Sequence, residues 1–169
     1  MKLFRLILPA LLAFAAIVGT PATANAQQTG NADMTARIAA LPVEKVVEIS
    51  QKLLDTPLEG NEEVANGCAQ IIVMWLTQSD DYTVNIPSAD YLSNRHILPA
   101  YFAAELINMH RLGITATNEA SFVASMKDVL KYYEANKKAL GKISQLDKLA
   151  KLSPDKLDKK LAEINSGMK

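Results

Sequence analysis

The stretch Ile97-Leu98-Pro99-Ala100-Tyr101-Phe102-Ala103-Ala104-Glu105-Leu106-Ile107-Asn108-Met109 decides the fold. Only Glu105 and Asn108 in it are strongly polar, so a helix here has almost no face to give to water. Pro99 suits an early turn, where its missing N–H costs no helical bond. Gly113 suits the end. A helix that is apolar nearly all round must be wrapped by others, and the rest of the chain reads as that wrapping.

From about Glu62 to Gln78 two apolar stripes lie side by side. Val64, Cys68, Ile71, Ile72 and Trp75 form one; Ala65, Ala69, Val73 and Leu76 form the other. So wide an arc is packed from two directions, and Gly67 within it marks a close helix crossing. Pro42 opens an earlier helix carrying Val43, Val46, Val47, Leu53 and Leu54, which Asp55-Thr56-Pro57 ends. A short helix over 34–41 precedes it. Downstream, Thr117 or Asn118 caps a helix whose Phe122, Met126, Val129, Leu130 and Tyr133 follow the amphipathic template, with Gly141 at its end. Two short helices close the chain, over 143–152 and from Ser153 as N-cap, the latter with Leu157, Leu161 and Ile164 as its stripe. Between the helices Tyr82-Thr83-Val84-Asn85-Ile86 alternates like a strand but has no strand to pair with, so it reads as an extended connector. The expected fold is all-α: a compact antiparallel bundle of five to seven helices with one short extended connector.

Three segments are expected along the chain. Lys2 and Arg5, the apolar run from Leu6 to Val18 and the triplet Ala24-Asn25-Ala26 have the order of a signal peptide over 1–26, cleaved near Ala26. Residues 27–33 form a polar, flexible leader. A single helical domain, with lysine-rich C-terminal helices, covers 34–169. The expected location is periplasmic or secreted, with no transmembrane segment after cleavage. Cys68 is the single cysteine of the chain, so no internal disulfide can form, and its apolar face predicts burial.

Residues 33–126 carry 5 basic and 12 acidic side chains, while 127–169 carry 11 lysines and 6 acidic ones. The positive C-terminus suits solvated helix faces, or weak contact with an acidic surface. Nucleic acid is not an expected partner, since those basic residues include no arginine.

No catalytic or cofactor motif is present. Serines lack a Gly-x-Ser-x-Gly turn. His96 and His110 stand too far apart on one helix to share a metal, and no Cys pair or His-x-x-x-His exists, so neither metal nor cofactor is expected. Glu105 is expected on a narrow polar stripe with Asn108, facing solvent or pairing with Arg111 or Arg95. The alternative is a desolvated carboxyl with a raised pKa, as in general acids. Trp75, Asp80, Asp81, Tyr82, Tyr91, Arg95 and His96 gather aromatic and charged residues about the connector, the composition of a binding surface. These readings point to a small exported, non-enzymatic helical protein that binds a protein or small-molecule partner outside the cytoplasm. An enzyme using Glu105 and a self-assembling subunit pairing through 82–86 are the alternatives.

Overall fold

Residues 97–109 do form a wrapped central helix in the computed structural model, which describes residues 33–167. The expected signal peptide and cleavage site, and the expected leader up to residue 32, lie outside the described residues. The helical segments are α1 (residues 33–39), α2 (Val43–Asp55), α3 (Glu62–Gln78), α4 (Ile97–Leu112), α5 (Glu119–Ala135), the single turn α6 (Lys137–Leu140), α7 (Ser144–Ala150) and α8 (Pro154–Ser166). A 3-10 turn, Asp90–Ser93, precedes α4. The fold is an all-α bundle, without a strand among the described residues.

Every residue from Ala100 to Leu106 is buried, Glu105 included. α2, α3, α5 and the 3-10 turn surround α4. Gly113 ends it at φ 65°, a left-handed conformation that side-chain-bearing residues avoid, and its N–H reaches His110 O at 3.2 Å.

α5 starts in a reciprocal cap. Asn118 Oδ1 accepts from Ser121 N at 2.9 Å, and Ser121 Oγ accepts from Asn118 N at 3.0 Å. Phe122, Met126, Val129, Leu130 and Tyr133 are all buried, as their spacing predicts. The helix does not run on to Gly141. It breaks at Asn136, whose buried side chain accepts from Leu58 N at 2.7 Å and donates to Tyr132 O at 3.0 Å. Those bonds hold Asn136 at φ −109°, ψ 12°, outside helical geometry, and α6 restarts beyond it. On the far side of α5, α7 and α8 bury Leu146, Leu149 and Leu161.

Two expectations for α3 are corrected. Val64 is 40 % exposed, so the inward stripe starts at Ala65 and runs through Cys68, Ile72 and Trp75. Gly67 is exposed, and a Cβ there would meet nothing within 4 Å, so no close crossing requires it. Cys68 is free and buried. The connector is extended, but it does find a partner: Thr83 bridges Ala116 in parallel, with Thr83 N to Thr115 O at 2.8 Å and Thr117 N to Thr83 O at 3.0 Å.

Candidate functional site

The aromatic and charged residues about the connector do not form one surface. Trp75 is buried, and its indole N–H donates to Leu41 O at 2.9 Å. Tyr82 packs on it with ring centroids 5.3 Å apart, and Asp80 and Asp81 are exposed beside them. Burial, then Glu44 and Asp81, raise the Tyr82 pKa. Tyr91 belongs to the core. Its hydroxyl approaches Met126 Sδ at 3.8 Å, and burial pushes its pKa up to about 12.

Arg95 and His96 face elsewhere, into a recess of about 320 Å³ also lined by Leu58, Glu62, Asn94, Ala139 and Leu140. The α4 N-terminus builds its polar wall. Asn94 Oδ1 accepts from His96 N at 2.9 Å and from Ile97 N at 3.4 Å, satisfying amides that a helix start leaves bare. Arg95 Nε donates to His96 Nε2 at 3.0 Å. That bond assigns Nε2 as an acceptor, hence a neutral ring with its proton on Nδ1. Burial and the Arg95 charge lower the His96 pKa, and Glu62 partly opposes them. Arg95 is exposed and in no salt bridge with a described carboxylate, so its terminal nitrogens are open to an anion. Leu58 and Leu140 supply an apolar wall, which the Leu58–Asn136 bond helps to position. Of the recess residues, the sequence singles out Arg95 and His96 and not Leu58, Glu62, Asn94 or Leu140. Their convergence depends on contacts made across the bundle, which no local pattern carries.

Glu105 does not reach solvent with Asn108, and it pairs with neither Arg111 nor Arg95: its exposure is 0 %. Asn108 is buried as well, bonding Ala104 O, Ser125 Oγ, Asp128 Oδ2 and Arg111 Nη2. Thr117 Oγ1 donates to Glu105 Oε2 at 3.2 Å, while Oε1 has no hydrogen-bond partner. Burial pushes the Glu105 pKa up to about 7, and the hydroxyls of Ser121, Thr117, Ser125 and Tyr101 offset part of that rise.

A wider groove, about 790 Å³, runs between α5 and α8 over Ala120, Val123, Ala124 and Ala162. Its charges largely satisfy one another: Lys127 meets Asp158 at 2.6 Å and Lys131 meets Asp128 at 2.9 Å. Among the described residues no cluster of three His, Cys, Asp or Glu side chains is placed to hold a metal ion, and no helix is long and apolar enough to cross a membrane. The chain matches no protein-family model, no curated protein and no solved structure.

Proposed function

We propose that this is a small, exported, non-enzymatic helical protein that binds a ligand at the Arg95–His96 recess. The carrying observation is the open guanidinium of Arg95 beside a neutral His96, in a recess of about 320 Å³ with a leucine wall. That volume lies at the small end of ordinary ligand sites. The chemistry suits a small molecule with an acidic head for Arg95 and an apolar body for Leu58 and Leu140. Glu62, which also lines the recess, adds a place for a positive group on the same ligand. Export rests on the signal-peptide order of residues 1–26.

Against an enzyme built on Glu105 stands the full burial of that carboxyl, which lines neither the Arg95–His96 recess nor the α5–α8 groove. Against assembly through 82–86 stands the pairing of Thr83 with the 115–117 segment of the same chain.

The test is an NMR titration with small carboxylates and phosphate esters carrying short alkyl chains. Binding should shift His96 ring signals saturably, and Arg95→Ala should weaken it at least tenfold while the other spectra stay native. Affinity should rise as pH falls below the ordinary histidine range, because His96 then gains a charge beside the anion. No saturable shift with any of these probes would reject the recess as an acid-head site.

A further inference from the structure

Thr117 links three structures at once. Its N–H donates to Thr83 O at 3.0 Å, its hydroxyl accepts from Asn85 N at 3.1 Å, and that hydroxyl donates to Glu105 Oε2 at 3.2 Å. Tyr101, one turn before Glu105, donates to Asn85 O at 2.6 Å. The connector and the segment following α4 therefore lie as a cover over the Glu105 carboxyl, tied through Thr117 and Tyr101. We propose that this cover is a proton-operated latch, closed while Glu105 carries a proton and released when the proton leaves to water.

Oε1 of Glu105 is buried with no hydrogen-bond partner. Ser121 spends its hydroxyl proton on Asn118 O, and Tyr101 spends its own on Asn85 O. In that arrangement both offer Glu105 oxygen lone pairs, to which a protonated carboxyl can donate. An ionised carboxyl needs those hydroxyls turned toward it, and otherwise keeps the Thr117 donor on Oε2 with none on Oε1. An ionised carboxyl fully out of water with one oxygen unbonded is a costly state. Water can reach it most cheaply by way of the cover. α4 and α5 are fixed by the core, whereas Thr83, Asn85, Thr115 and Ala116 are exposed and joined by two backbone bonds. Lifting the cover uncovers Val84, which is buried, and loosens Tyr82 from Trp75.

Among the described residues no countercharge faces the carboxyl. Tyr101 faces Glu105 from its own helix, with Tyr91 of the 3-10 turn behind it. α5 presents Ser121 and Ser125. The carboxylates and lysines of α2 (Glu44, Lys45, Glu48, Lys52, Asp55) and the carboxylates of α3 (Glu62, Glu63) are exposed, and the Cys68 thiol of α3 is buried. Asp128 and Arg111 are engaged by Asn108, about one turn further along α4.

Trp75 is the single tryptophan and lies under Tyr82, so it reports on the latch. In the purified full chain, acrylamide quenching of Trp75 should at least double between pH 5 and pH 8.5, with its midpoint near 7. Amide protection factors at Thr83 and Thr117 should fall about tenfold over the same range. Glu105→Gln, neutral at every pH, should keep the low-pH behaviour throughout. If that variant does not fold, the wild type still decides. The ¹³C shift of the Glu105 carboxyl and the Thr117 protection factor must share one midpoint. A carboxyl that titrates with no change at Thr83 and Thr117, or a Glu105→Gln profile that follows the wild type, overturns the latch.

Discussion

Glu105 ties a single proton to the stability of the whole chain. Unfolded, it titrates near 4.5; folded, its pKa stands at about 7 because burial disfavours the charge. A raised folded pKa means stability that is full below 4.5 and is lost as pH rises to about 7, since only the native state keeps its proton in that window. At about 1.4 kcal/mol per pH unit the loss is about 3 kcal/mol. Urea unfolding at pH 5 and pH 8 should show it, and Glu105→Gln should lack this part of the fall. The sequence places Glu105 in apolar company but does not say which way it points. Neighbours along a helix fix the helix, while direction is set by α5 and the 115–117 segment, which are distant in sequence. Arg95 and His96 were legible for a similar reason in reverse. They sit at a helix start, where local capping orients them, whereas Tyr91, grouped with the binding residues, is core, and Trp75, grouped there too, keeps to the apolar stripe of its helix.

At the scale of elements, local chemistry predicts best where it is strongest. The α5 periodicity, the Gly113 stop, the Asn118 cap and the Ser153–Pro154 start of α8 all follow from nearest neighbours. The Asn136 break did not, because its cause is a bond to Leu58. Asn136→Ala leaves the buried Leu58 N–H without a partner and should cost about 1–3 kcal/mol, read as a lower urea midpoint. Gly67 gives the opposite sign. It is helical, exposed and open around the position of a Cβ, so Gly67→Ala should stabilise by about 0.5–1 kcal/mol and raise the thermal midpoint. A destabilised Gly67→Ala protein would mean that the site is more crowded than this geometry has it.

Across the whole molecule, α5 joins two groups of helices: α4, packed with α2 and α3, on one side, and α7 with α8 on the other. Leu161 is the fully buried residue of α8, so Leu161→Ala should cost about 2–5 kcal/mol and lower one cooperative transition rather than splitting off a separate melt. Calorimetry distinguishes the two. The wrapped architecture was legible because the 97–109 helix admits no other arrangement. The route by which the chain assembles follows from the Leu58–Asn136 bond, which joins residues 78 positions apart. Sequence-adjacent helices such as α2 and α3, or α4 and α5, meet by closing short loops, and these come early because little chain freedom is lost. Leu58 must wait for α5 to end before its amide has an acceptor. In time, then, this bond is a late fastening: weakening it should speed unfolding and leave the rate of folding nearly unchanged.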